Sequence, residues 1–261
     1  RRCPVRASLG WTTIGPTSPG CWRPADVVVE PIRLAVFDVA GTTVLDGDAV
    51  VDSMQDALSR RRVEVPRQEI VALMGLPKPQ AITMLLGKHS RLNGGSLRPL
   101  ADRVLDDFLA GVKQRYRDGP GIAPAEDALD VFAALRRAGI TVALDTGFSR
   151  EVLDVLLQRL GWQNGDPIDL TVVSDEGARG RPFPDLIRIA MARAQVLSPQ
   201  AVVKIGDTPA DLAQGLAAHC GLVVGVTYGT HVRQQLERPG VHLIDRLVEL
   251  LPLVNVEVIG R

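Results

Sequence analysis

The sequence predicts an α/β fold, an open doubly wound parallel sheet that carries an inserted all-helical domain. Two observations lead there. After Pro120-Gly121, short apolar runs alternate with single helical stretches as far as Val226, and strands joined by one helix pair in parallel through right-handed crossovers. Residues 47–118, by contrast, carry helical periodicity alone. Such a block cannot belong to the sheet, so it forms a cap domain inserted between the first and second strands. The expected organisation is a tail at 1–30, an α/β core at 31–46 and 119–261, and a helical cap at 47–118.

Residues 1–30, RRCPVRASLGWTTIGPTSPGCWRPADVVVE, are rich in Arg, Pro, Gly, Ser and Thr and follow neither a helical nor a strand period. They lack the continuous apolar core of a secretory signal, and a disordered tail is expected. The missing starting Met is expected of a fragment or of an extended gene start. The first strand runs from Ile32 to Asp38 around the apolar run Leu34-Ala35-Val36-Phe37. In the cap, Leu100, Val104, Leu105, Phe108, Leu109, Val112 and Tyr116 share one helical face that reads as cap core. Helix Ala125 to Ala138 then leads to strand Ile140 to Leu144, and helix Glu151 to Leu160 leads to strand Leu170 to Val173. Helix Pro184 to Ala194 leads to strand Ala201 to Ile205, and helix Ala210 to Ala218 leads to strand Leu222 to Val226.

Composition narrows the function classes. Lys and Arg number 30 against 30 Asp and Glu, so neither nucleic acid nor an anionic membrane surface is an expected partner. The chain is 46% hydrophobic and 23% charged, and no apolar run reaches the ~18 residues needed to span a bilayer. Cys3, Cys21 and Cys220 show no metal-ligand spacing, and a reducing cytoplasm is the expected compartment.

In open α/β sheets, ligands bind beyond the carboxyl ends of the strands. Four polar clusters fall at those ends: Asp38 in FDVAGTT, Thr146 in LDTGFSR, Arg181 in GRPFPD, and Asp207 with Asp211 in IGDTPADL. Each has a plainer reading. Thr146 could close a turn, Arg181 could be a solvated loop cation, and Asp211 could be a charge at a helix N-terminus. Asp38 is harder to dismiss, because a carboxylate after four apolar residues must be paired or face a cleft. Together the clusters suit phosphoryl transfer. Asp38 and Asp207 supply hard oxygens to Mg²⁺, and the free oxygen of Asp38 attacks phosphorus to form an aspartyl phosphate. Thr146 donates to a phosphoryl oxygen, and Arg181 holds the phosphoryl group and Asp38 through its planar fork.

On these motifs the chain, from Ile32 to its end, resembles the haloacid dehalogenase superfamily of hydrolases, with the helical insertion standing where that superfamily inserts its cap into a Rossmann-like core. Two departures narrow the resemblance. Ala40 stands where a second Asp is usual, and Arg181 where a Lys is usual. Both are similar to the phosphonatase branch, whose first motif DVAGTT resembles. The cap stretch Met74-Gly75-Leu76-Pro77-Lys78 resembles that branch's Met-Gly-x-x-Lys motif, which implies that Lys78 forms an imine with an aldehyde substrate. By itself, a lysine between Pro77 and Pro79 reads as an exposed loop charge.

The resemblance implies a catalytic set of Asp38, Lys78, Thr146 and Arg181, a substrate-binding set of Thr42, Met74, Gly147 and Phe148, and a metal set of Asp38, Ala40, Asp207 and Asp211. The implied activity is Mg²⁺-dependent cleavage of the C–P bond of phosphonoacetaldehyde or a close analogue, in a homodimer formed through the cap. Ala40 then has a chemical meaning. An alkoxide leaving a phosphate ester needs a proton from a nearby acid, whereas a C–P bond beta to a cationic imine breaks to an enamine without one. The lysine must be neutral to start, so its pKa must fall from about 10.4; a half-buried cleft beside Arg181 and Mg²⁺ lowers it. Two departures touch the aldehyde side, Ala81 where a His is usual and Phe148 where a Tyr is usual. The alternatives are a phosphatase of small phosphate monoesters, which keeps the phosphoryl site without the imine, and a binding module without turnover.

Overall fold

The computed structural model describes residues 30–90, 97–176 and 179–257. The expected tail, Glu30 excepted, lies outside the described residues, as do Cys3 and Cys21. The chain opens with β1 (Leu34–Phe37), all four residues of which are buried. A two-residue strand, β2 (Val44–Leu45), precedes four helices: α1 (Ala49–Arg60), α2 (Arg67–Val71), α3 (Lys78–His89) and α4 (Leu97–Asp118). The antiparallel partner of β2, β3 (Ala123–Pro124), closes the base of this insertion. Then come α5 (Ala128–Arg137), β4 (Thr141–Asp145), α6 (Arg150–Leu160), the short pair β5 (Gln163–Asn164) and β6 (Pro167–Ile168), β7 (Leu170–Val172) and α7 (Asp185–Arg193). The chain continues through β8 (Val202–Gly206), α8 (Pro209–Ala217), β9 (Leu222–Val226), α9 (Arg233–Leu236), β10 (His242–Ile244) and α10 (Leu250–Leu253).

The main sheet has six strands in the order β10-β9-β8-β1-β4-β7, and every pairing in it is parallel. From β1 the chain runs outward through β4 and β7, then returns to the other side of β1 with β8. The order therefore reverses between β1 and β8, the place where such sheets open a crevice. Register decides what meets there. Phe37 lies opposite both Leu144 and Ile205, so Asp38, Asp145 and Gly206 come level at the sheet edge.

The insertion has its own packing. Leu100, Val104, Phe108, Val112 and Tyr116 are the buried stripe of α4, which packs on α1, whose buried face includes Val50, Val51, Met54, Ala57 and Leu58. Leu105 and Leu109 flank that stripe and are only partly buried. The expected strands and helices are present with ends shifted by a residue or a few. The short elements β2, β3, β5, β6, α9, β10 and α10 are not expected from the sequence, because two to four residues give too short a period to read. One expectation differs more. Lys78 is not an exposed loop residue: it opens α3 and is 8% exposed, since proline is compatible with the first turn of a helix and Pro79 does not break this one.

Candidate active site

The FDVAGTT turn is built around backbone donors. The Val39 carbonyl accepts from the amides of Thr42, Thr43 and Val44, and Thr43 Oγ1 donates to the Asp38 carbonyl at 3.0 Å. Gly41 sits at φ 85°, and a Cβ there would overlap the Asp207 carboxylate; both facts require glycine. Thr42 Oγ1 donates to Asp207 Oδ1 at 3.0 Å, while the Thr230 amide donates to Asp207 Oδ2 at 2.7 Å. Tyr228 Oη in turn donates to the Thr42 carbonyl. Thr42 thus orients Asp207 from beneath and does not line the cleft.

Arg181 is no solvated loop cation. At 2% exposure, its Nη2 donates to Asp38 Oδ1 at 2.7 Å, to the Asp145 carbonyl at 2.7 Å and to Asp145 Oδ1 at 2.8 Å. Its Nη1 lies 2.9 Å from Asp211 Oδ1. Lys204, fully buried on β8, pairs with Asp145 Oδ1 and sits 3.2 Å from Asp211 Oδ1. Two cations are therefore interleaved with Asp38, Asp145 and Asp211. Asp211 satisfies both readings of the sequence. It caps α8 reciprocally with Thr208, and its other oxygen faces the cations.

Burial sets the electrostatics. It pushes the Asp38 carboxyl up to about 7, against the pull of Arg181 and with Asp211 and Asp207 adding to the rise. Asp207 is likewise raised by burial and by Asp211. Burial would raise Asp145 too, but Arg181 and Lys204 together hold it below the usual carboxylate value. Sequence reasoning missed Asp145 and Lys204. The signal for Asp145 was present: like Asp38, it ends an apolar strand.

Above this cluster opens a narrow cleft between core and insertion, lined among others by Asp38, Ala40, Asp46, Met74, Lys78, Thr146, Gly147, Phe148 and Arg181. Lys78 Nζ donates to Met74 Sδ at 3.8 Å, and burial pulls its pKa down to about 8, partly opposed by Asp38 and helped by Arg181. The lysine loop is seated by two glycines. Gly75, at φ 85°, rests on Thr208, whose Oγ1 a Cβ would overlap, and Gly180 rests in the same way on Pro77. Thr146 Oγ1 accepts from the Phe148 amide at 3.2 Å, so the turn and the cleft share it. The Phe148 ring meets Tyr116 of α4 edge to face, with centroids 5.7 Å apart. Ala81 is fully buried and brings no polar group to the cleft. Asp207 and Asp211 are not among the residues that line the cleft, though each brings a carboxylate oxygen within 4.8 Å of one of Asp38.

One metal site is consistent with these residues. Asp38, Asp207 and Asp211 each offer a carboxylate oxygen within 4.8 Å of the others. Hard oxygen donors with excess negative charge fit a hard divalent cation such as Mg²⁺. Ala40 can contribute only its main-chain oxygen.

Comparison with known proteins identifies the family and the fold. A family model described as haloacid dehalogenase-like hydrolase matches residues 35–224. A phosphonoacetaldehyde hydrolase of Syntrophobacter fumaroxidans is 32% identical over 200 residues, 72% of this chain and 70% of that protein. Among solved structures, a phosphonoacetaldehyde hydrolase-like protein from Oleispira antarctica superposes with a TM-score of 0.73 at 22% identity, covering 87% of this chain and 92% of the other. CbbY from Rhodobacter sphaeroides, solved in complex with phosphate, superposes with a TM-score of 0.70 at 24% identity over 84% and 96%. The chain belongs to the haloacid dehalogenase-like hydrolase family, in its phosphonatase-like branch.

Proposed function

We propose that the protein is a Mg²⁺-dependent hydrolase that cleaves the C–P bond of phosphonoacetaldehyde or a close analogue through an imine on Lys78. The observation that carries this reading is a buried lysine in the same cleft as Asp38, with its pKa pulled down to about 8. An amine so placed is available as a nucleophile near neutral pH. Its lone pair attacks the aldehyde carbon, and loss of water leaves a protonated imine. Arg181 orients the phosphoryl group and Asp38, and Thr146 donates to a phosphoryl oxygen. Asp38 Oδ attacks phosphorus, the C–P electron pair moves to the imine carbon–nitrogen system, and an enamine leaves an aspartyl phosphate behind. Water then hydrolyses both, giving acetaldehyde and phosphate. Bound Mg²⁺ would neutralise phosphoryl charge beside Asp38, Asp207 and Asp211. Gly147, Phe148 and Met74 complete the substrate surface. The methyl of Ala40 is compatible with this route, because the enamine needs no acid on departure.

A second reading keeps the phosphoryl half and omits the imine, giving a phosphatase of small phosphate monoesters. The likeness in fold to CbbY, also solved as a mutant in complex with xylulose-(1,5)bisphosphate, a phosphate ester, favours it; Ala40 weighs against it, since an alkoxide would leave without a proton donor. The proposed assembly is a homodimer through the cap, in a reducing cytoplasm. Among the described residues no helix is long and apolar enough to cross a membrane, and light scattering tests the dimer.

The deciding experiment measures acetaldehyde and phosphate release from phosphonoacetaldehyde beside Lys78→Ala, with borohydride trapping at Lys78. Release abolished by Lys78→Ala is expected. Full phosphonate cleavage by Lys78→Arg would remove the imine, and monoester turnover indifferent to Lys78→Ala would establish the phosphatase reading.

A further inference from the structure

Imine formation moves protons at several atoms. The carbonyl oxygen gains one as the amine attacks, the nitrogen loses one, and the hydroxyl of the carbinolamine must leave as water. Within α3 nothing near Lys78 serves this need, because the position one turn on is the buried Ala81. The lining of the cleft offers a candidate. Asp46, in the turn between β2 and α1, lines the same cavity as Lys78, and its charge acts on the lysine. It is half-buried, and no Lys, Arg or His among the described residues forms an ion pair with it. Its Oδ2 accepts from the Val50 amide at 3.3 Å and from Tyr116 Oη at 3.4 Å. Asp48, the other acid of this turn, is exposed and pairs with Arg67 at 3.0 Å. Asp38 is held by Arg181.

We infer that Asp46 is the proton-transfer group of the imine step, a catalytic residue that gives a proton to the substrate oxygen and takes one from the Lys78 nitrogen; the inference rests on the C–P cleavage reading above. The step balances. As the nitrogen lone pair forms the C–N bond, the carbonyl π pair goes to oxygen, which takes the Asp46 proton. The ammonium of the adduct returns a proton to the Asp46 carboxylate. That proton then passes to the hydroxyl, which leaves as water while the nitrogen lone pair closes the C=N bond. A neutral acid and a neutral amine thus become a carboxylate beside a cationic imine, plus water. Burial keeps the Asp46 carboxyl above its usual range, against the Val50 amide and with Asp48 adding to the rise. Besides Lys78, the charged or titratable groups that act on it are Asp48, Tyr116 and Asp207.

The test is the single-turnover rate of borohydride-trapped adduct at Lys78 with phosphonoacetaldehyde, read by intact mass. Asp46→Asn keeps the shape and an acceptor for the Val50 amide, and should slow adduct formation about 100-fold, a usual size for lost acid–base catalysis. Affinity for inorganic phosphate with Mg²⁺ should stay at the wild-type value, and added formate should speed adduct formation in Asp46→Ala. Adduct at the wild-type rate in Asp46→Asn would overturn the inference and leave the function standing. So would phosphate affinity lost in both variants without rescue by formate, the mark of a structural residue. Wild-type protein that forms no adduct and cleaves no phosphonate would overturn the functional reading itself.

Discussion

Met74 Sδ lies 3.8 Å from Lys78 Nζ, so the buried amine is met by a thioether where a carboxylate would have kept it charged. Sulfur is a weak acceptor and offsets little of the cost of burying an ammonium. The amine therefore loses its proton at about 8 rather than at 10.5. Carbamylation by cyanate consumes only the neutral form, so its rate at Lys78, followed by peptide mass, should rise with pH and level off above about 8. Met74→Glu should move that limb upward, because an opposite charge favours the ammonium. A midpoint at the ordinary lysine value in the wild type would show that the site is wetter than its burial implies. The same shift bears on stability: between 8 and 10.5 the unfolded chain binds more protons at this lysine than the folded one, so the contribution of Lys78 to stability rises with pH across that window.

Arg181 is fixed by three carboxylates, and a lysine in its place keeps the charge but loses the fork. With charge-assisted hydrogen bonds worth about 1.5–3 kcal/mol each, Arg181→Lys should lower kcat/KM by about two to four orders of magnitude, roughly the loss of two such bonds. Arg181→Met should also cost about 3 kcal/mol of stability, the order seen when one partner of a buried ion pair is removed. Urea denaturation of both variants beside their kinetics separates the two effects.

The buried cluster holds Asp38, Asp145, Asp207 and Asp211 against Arg181 and Lys204, an excess of carboxylate that a divalent ion would relieve. Mg²⁺ at 100 times its Kd should then stabilise the fold by about 2.7 kcal/mol, a rise of about 5–10 °C in Tm for a chain of this size. EDTA should reverse it. Asp207→Asn should abolish the rise; an undiminished rise in that variant would place the ion elsewhere.

Gly180 rests on Pro77, and Gly180→Ala should push the lysine loop off the core. The expected outcome is a loss of borohydride trapping at Lys78 of about tenfold or more, in line with the sensitivity of catalysis to small misplacements, while phosphate affinity persists. The obstructing atom is Pro77 Cγ, so adding Pro77→Ala to Gly180→Ala should restore much of the trapping. A double variant no better than Gly180→Ala would mean that the glycine matters for another reason.

Much of this arrangement was legible because parallel strands of similar length bring their carboxyl ends level. Asp38, Thr146 and Asp207 stand at or just past the ends of parallel strands, where register collects them, while Arg181 reaches them from the loop after β7. Lys204 was not legible. A lysine inside Val-Val-Lys-Ile reads as a strand position facing outward, and only the fold reveals that Asp145 and Asp211 await it. Asp46 lay outside any motif, and its meaning depends on an insertion whose placement no local pattern encodes. Lys78 was found by its motif but misjudged in its setting, because flanking prolines suggest a loop as readily as a helix start.

The seat of Gly75 on Thr208 has one more consequence. It fixes the span between an amine carried by the insertion and a carboxylate carried by the core, so on the C–P cleavage reading the protein would act as a gauge with two jaws. A phosphonate without the carbonyl, or an aldehyde without the phosphoryl group, would fill one jaw only. Selection by this protein would then be a matter of length, measured from both ends at once.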